Sequence, residues 1–268
     1  MSGSGIIRYW PLYALVLAVA AFAAFGGAGP APDFAQRLMP PSMNAPFGTD
    51  ALGRDMVARS LAGLSLSLRI GLAASLASTA IALCLTMVAC LHRAAGGLVS
   101  FVTDAVLSLP HLVLLVLIAF ALGGGADAVV AAVALSHWPR LTRLLRLELE
   151  QVLASDFVAA SRAFGRSPLH VATRHVLPHL LPQLLVGAVL MLPHAILHEA
   201  ALTFLGFGLE PTRPAIGILL SEAMRTLSAG YWWLGLFPGL VLVATVLLVE
   251  SIGAHLQRQL TPLPEAAR

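Results

Sequence analysis

Lysine is missing altogether: all 16 Lys and Arg positions in the 268 residues are arginine. A Walker A loop needs a Lys on its phosphates, a Schiff base needs the amine, and an S-x-x-K nucleophile needs both partners, so none of these chemistries resides here. Charge of either sign is scarce, 11% of residues against roughly 25% in a soluble domain. The only cysteines, Cys84 and Cys90, lie in one apolar run at a spacing that points them to different faces of a helix. That reads as two small hydrophobes, with neither a disulfide nor a metal pair. What is abundant is apolar side chain, 58% of residues, with a mean hydropathy of +0.87. A compact soluble fold has too little polar surface to cover so much, so the class is an all-α integral membrane protein. The net charge of +3 and pI near 9.4 then belong to basic cytoplasmic loops and not to a nucleic-acid surface.

A bilayer core takes about 20 mostly apolar residues per helix. Six runs answer to that: 10–25, 66–91, 98–122, one from 128 that turns Arg-rich after Pro139, 180–205 and 232–252. The first is short enough for a signal-peptide core, but an uncleaved span is favoured because the later runs need an N-in start. The third is interrupted by Asp104 and by Pro110-His111. Polar stretches at 30–65, 140–179 and 206–231 separate the others. With the N-terminus inside, ten of the sided arginines fall inside and five outside, six of the inside ones between Arg140 and Arg174. This bias sets six transmembrane helices, N-in and C-in. Trp10, Trp138, Trp232 and Trp233 fall near span ends, where interfacial anchors belong. The chain divides into a first span with an outer loop (1–65), a membrane domain (66–256) and a cytoplasmic tail (257–268).

The segment between spans four and five is the most informative. Ser155 or Asp156 is placed to cap a helix from Phe157, along which Phe157, Ala160, Ala163 and Phe164 form an apolar stripe. Gly165 ends it, Ser167-Pro168 starts a second helix, and Pro178 ends that one. Two short helices meeting at a glycine allow two readings. One is an amphipathic linker lying on anionic membrane lipid. The other is a docking element that inserts its apolar face into a groove on a partner.

Ala159-Ala160-Ser161, then Gly165, then Arg174-His175-Val176-Leu177-Pro178 resemble the cytoplasmic EAA loop of permease subunits of bacterial ABC importers, with Ala159 where many members carry Glu. Phe47-Gly48-Thr49-Asp50-Ala51-Leu52-Gly53-Arg54-Asp55 resembles the F/L-G-T-D-x-x-G-R-D motif of the dipeptide, oligopeptide and nickel permeases. His198-Glu199-Ala200-Ala201-Leu202-Thr203-Phe204-Leu205-Gly206 resembles their E-A-x-L-S-F-L-G segment, and Phe237-Pro238-Gly239 their last-span F-P-G. Three motifs in the right order, covering the chain from about Phe47 onward, make it look like the C-type permease of that group. Ala134-Leu135-Ser136-His137-Trp138 resembles nickel-type permeases more than peptide ones.

The resemblance implies a multi-pass subunit of the bacterial inner membrane, paired with a second, homologous permease. Two ATPase subunits, which would hold ATP and Mg, and a substrate-binding protein complete the assembly. This chain would carry no catalytic residue, no cofactor and no metal of its own. Phe157, Val158, Ala159, Ala160, Ser161, Phe164, Gly165, Arg166 and Leu169 would couple to the ATPases. Substrate leans to nickel or a metal chelate such as a metallophore complex, with short peptides the alternative.

Several polar groups have a plain reading beside a functional one. Gly48, Thr49, Asp50, Gly53, Arg54 and Asp55 form the outer motif. Thr49 or Asp50 would cap a helix, with Asp50–Arg54 and Asp55–Arg59 paired at i,i+4; the functional addition is contact with the binding protein. His194 and His198 are also i,i+4, with Glu199 adjacent. They serve as polar contacts in the bundle, line a pathway, or hold a metal. Asp104 and His111, two turns apart, would face one interior. His170, His175 and His179 read as loop contacts. The rivals from other classes are an intramembrane metalloprotease built on His194, His198 and Glu199, and an autonomous channel or secondary transporter.

Overall fold

A computed structural model describes residues 30–260. The expected first span at 10–25, with Trp10, and the tail from 261 onward lie outside the described residues. Within them the protein is helical, and the sole β feature is an isolated bridge between Thr49 and Asp55. Helix α1 (Met56–Leu91) starts well before the apolar run because Asp55 Oδ2 accepts from Ala58 N–H at 2.8 Å and caps it. Its 36 residues reach about 54 Å, more than a bilayer core needs.

The expected third span is not one straight helix. Helix α2 (Arg93–Leu107) and helix α3 (His111–Ala121) meet at 96°. Pro110 offers no N–H and disfavours helical geometry at Leu109, so the ladder stops there. Helix α4 (Gly125–Leu153) does the opposite. It runs through Pro139 and continues where a polar segment was expected, because Leu141, Leu145, Leu149 and Val152 form a buried stripe on one face. Trp138 is buried within it, not placed as an interfacial anchor.

Two short helices follow, α5 (Asp156–Ala163) and α6 (Pro168–Val171). A π-helical turn at Ala172–Val176 then leads straight into α7 (Leu177–Phe204). Pro178 therefore does not end the second helix. Leu177 N–H bonds back to Ala172 O, a widened i→i−5 turn at the point where Pro178 has no N–H to give. Amphipathic α8 (Ile216–Thr226) and the long α9 (Trp233–Leu260) complete the chain.

Helix α1 packs along α4 and α7, and α7 also packs along α9. Small residues allow the close approach: a Cβ on Gly217 would lie 2.4 Å from Ala200 O, and one on Gly187 2.5 Å from a Leu141 methyl. Outward faces carry Leu72, Leu76, Phe101, Phe120, Leu240 and Leu247 exposed, as lipid contact requires. Helix α1, the α6–α7 helix and α9 are long and apolar enough to cross a membrane, and the bent α2–α3 pair makes a fourth if taken as one broken span.

Candidate functional site

Three groups of polar or exposed residues stand out, one at each end of the bundle and one inside it. At the end where α1 finishes, α5 and α6 form a hook. Ser155 sits at the N-cap of α5, but its hydroxyl is turned back to donate to Val152 O, and neither Ser155 nor Asp156 makes the expected side-chain cap. At the other end of α5 the turn is a Schellman motif: Gly165 N–H bonds Arg162 O at 2.9 Å and Arg166 N–H bonds Ser161 O at 3.2 Å. Gly165 has φ +76, a left-handed value costing a residue with a Cβ roughly 1–2 kcal/mol. Ser167 Oγ then accepts from His170 N–H and Pro168 opens α6, as the sequence predicts.

The hook has two distinct sides. Val158 and Val171 are buried with Val152, Leu145, Leu149, Val176, Leu180 and Trp138 in one continuous apolar cluster. Ser161, also buried, faces His175 Nε2 at 3.1 Å. Phe157 stacks on His179 with ring centroids 5.2 Å apart, so both histidines serve as loop contacts. On the outside, Phe164 is 85% and Leu169 62% exposed, beside exposed Ala159, Ala160, Gly165 and Arg166. The hook is thus anchored to α1, α4 and α7 by its inner side and presents bare apolar groups on its outer one.

At the opposite end the outer motif folds into a buried ion-pair network. Asp50 Oδ1 accepts from the N–H of Leu52 and of Arg54 at 2.8 and 2.9 Å. Its Oδ2 accepts from Arg54 Nε at 2.7 Å and Arg59 Nη1 at 2.6 Å. Burial pushes this carboxyl up, but the Arg54 hydrogen bonds and the Arg59 charge outweigh burial and hold it below the usual carboxylate range. The Asp50–Arg54 pair forms as the spacing predicts. The Asp55–Arg59 pair does not: Asp55 is taken up by capping α1, and Arg59 turns to Asp50 and to Glu222 of α8 at 2.9 Å. Thr49 caps no helix; its hydroxyl donates to Gln36 O and accepts from Met39 N–H, while Thr49 O accepts from Trp233 Nε1. Gly48 and Gly53 have positive φ, and a Cβ on Gly53 would fall 1.7 Å from Asp33 O. Glu222, which ties α8 to α1, carries no sequence signal beyond an acid on an amphipathic helix.

Inside the bundle the histidines regroup. His194 is exposed, its Nδ1 against Leu190 O, and is not one of the three histidines whose ring nitrogens converge. His198 faces His111 and His137, with ring centroids 4.8 and 5.0 Å away, and His111 and His137 are 4.6 Å apart. Asp104 is absent from the group, because the bend at Pro110 turns α3 away from α2; it forms an exposed ion pair with Arg143 instead. Glu199 points elsewhere too. It is fully buried, its Oε1 accepting from Thr203 Oγ1 at 2.9 Å. A protease reading needs that carboxylate beside His194 and His198, and Glu199 is instead buried against Thr203. His137 escapes the sequence-based candidates, although an ionisable residue in an apolar run is itself a signal.

Comparison with known proteins meets this architecture from another direction. Residues 80–262 match the family model for the binding-protein-dependent transport system inner membrane component. Among curated proteins, one named for a peptide transport system permease of Brucella suis is 35% identical over 226 residues, 84% of this chain and 76% of that protein. A second Brucella suis protein, named for a peptide permease, is 36% identical over 84% of this chain and 75% of its own length. The di/tripeptide transport system permease protein DppC of Pseudomonas aeruginosa is 37% identical over 81% of this chain and 71% of that protein. With several membrane-length apolar helices and this match, the chain belongs to the family of binding-protein-dependent transport system inner membrane components, multi-pass permease proteins of the inner membrane.

Proposed function

We propose that this chain is one of two homologous permease subunits of an importer for short peptides, driven by ATPase subunits that dock on the α5–α6 hook. The observation that carries the docking is the two-sided hook. Phe164 and Leu169 stand bare outside, while Val158 and Val171 are locked into the apolar cluster shared by α1, α4 and α7. A groove on an ATPase that takes the bare side moves the packed side with it, because a close-packed core transmits displacement rather than absorbing it. Rocking of the spans then alternates access to the pathway. In this reading the chain has no nucleotide chemistry, and a binding protein delivers substrate to the outer end near Asp50.

Six spans, N-in and C-in, take the apolar run at 10–25, which lies outside the described residues, and then the helices α1, the broken α2–α3, α4, α7 and α9. The arginine bias supports this orientation and puts the hook in the cytoplasm. Short peptides are favoured as cargo because the relatives are named for peptide transport. That displaces nickel or a metal chelate, to which the Ala134–Trp138 resemblance leans.

The test is co-purification and uptake. Extracted in mild detergent, the wild-type chain brings down ATPase subunits, and Phe164→Asp loses them while keeping the second permease. A wild-type preparation free of ATPase, or a variant that retains it, overturns the docking. Uptake of a labelled dipeptide restored by the wild-type gene in a deletion strain supports the cargo; restoration of nickel uptake alone replaces it.

A further inference from the structure

His111, His137 and His198 come from three different helices, and one ring nitrogen of each lies within 4.8 Å of the others. His111 opens α3 immediately after the bend, His137 is buried in α4, and His198 is half-buried in α7. His137 Nδ1 lies 2.9 Å from Val133 O. A carbonyl oxygen only accepts, and Ser136 Oγ, 3.0 Å from the same nitrogen, gives its own proton to Val133 O, so the contacts favour the tautomer with the proton on Nδ1 and a lone pair on Nε2. A backbone carbonyl orienting one nitrogen so that the other can bind is the usual support of a metal-ligating imidazole.

We propose that these three histidines form a binding site for a late first-row divalent metal ion, of the zinc, nickel and copper class. The inference stands apart from the importer reading, since it concerns the ion and not the transported cargo. The chemistry selects the ion class. Imidazole nitrogens suit zinc, copper and nickel, whereas calcium and magnesium demand oxygen ligands, and the group contains none. Three protein ligands with an open fourth position is a known arrangement for such ions. Zn–N bonds of about 2.0–2.1 Å in tetrahedral geometry set ligand nitrogens roughly 3.3 Å apart, so each would move inward by less than about 1 Å. Rotation about side-chain bonds supplies that, because the rings meet edge-on and are not locked in a stack. Arg140, exposed and three residues beyond His137, adds positive charge near His111 and His198. The site therefore depends on direct nitrogen–metal bonding and not on a field of negative charge. A bound ion would tie the α2–α3 elbow to α4 and α7.

The experiment uses the full-length chain, purified without a histidine tag, and Co²⁺ as the probe. One equivalent of Co²⁺ is expected to give the visible absorption of a nitrogen-rich tetrahedral site, and Zn²⁺ to displace it and raise the melting temperature. His111→Ala, His137→Ala and His198→Ala each weaken binding at least tenfold, whereas His194→Ala leaves it unchanged. Melting in EDTA shows whether each alanine variant is folded; one that is not is replaced by the glutamine variant and read the same way. The proposal is overturned by no saturable Co²⁺ binding, by binding that survives loss of His137, or by loss in His194→Ala equal to that in the other three.

Discussion

The two ends of this molecule solve opposite problems. At the Asp50 end the buried polar groups are paired: a buried carboxylate takes four hydrogen bonds, an arginine joins α1 to α8, and two left-handed glycines sit where no side chain fits. At the hook end the left-handed glycine faces open space, and the largest apolar side chain on the turn, Phe164, is bare. A glycine hemmed by backbone marks a place already filled. A glycine in the open beside exposed phenylalanine, on a stem packed into the core, is the kind of place the proposed ATPase docking would fill.

That contrast breaks first at Gly53. Gly53→Ala puts a Cβ onto Asp33 O and keeps a positive φ, so folded yield in a thermal aggregation assay should collapse. Asp50→Ala is next, leaving Arg59 with only half-exposed Glu222; breaking a buried pair costs on the order of 3 kcal/mol, read as a lowered melting temperature. The pH sign follows from the depressed carboxyl. Its stabilisation is fully present above the ordinary Asp range and is lost as pH falls through the lower folded value. Asp50→Asn should therefore flatten the acid limb of the stability curve.

Gly165→Ala should cost only about 1–2 kcal/mol, because it meets backbone strain without a clash. A collapse as large as that of Gly53→Ala would erase the distinction between the two glycines. Phe164→Asp should change thermal stability least, within about 0.5 kcal/mol, since the side chain touches little of the fold. A large destabilisation would mean the residue belongs to the core and not to a docking surface.

Much of the hook was legible in sequence because its determinants are local. Glycine after an apolar stripe and Ser-Pro before the next helix fix their turns within a few residues, and both are found in place. The cap at Ser155 is missing because its hydroxyl, two residues past the end of α4, is turned back to Val152 O and makes no bond to the N–H groups of α5. Prolines divide. Pro110, which already interrupts its run in sequence, breaks it into two helices, while Pro139 and Pro178 are absorbed by a buried leucine stripe and a π turn. Whether a proline bends, ends or merely interrupts a helix depends on what packs beside it, and that lies outside any local window.

Composition by itself decided the solvent, and because backbone polar groups in lipid are satisfied only in helices or closed barrels, the long unalternating apolar runs select helices. It also excluded nucleotide chemistry that needs a lysine from these residues, because none of them can supply the amine. What only the tertiary structure decided is which polar groups meet. Arg59 left its sequence neighbour Asp55 for Asp50 and Glu222, and His198 left His194 for His111 and His137. Helical spacing places side chains on a face, but the partner on that face comes from another helix, and across the 96° bend Asp104 pairs with Arg143 while His111 meets His198.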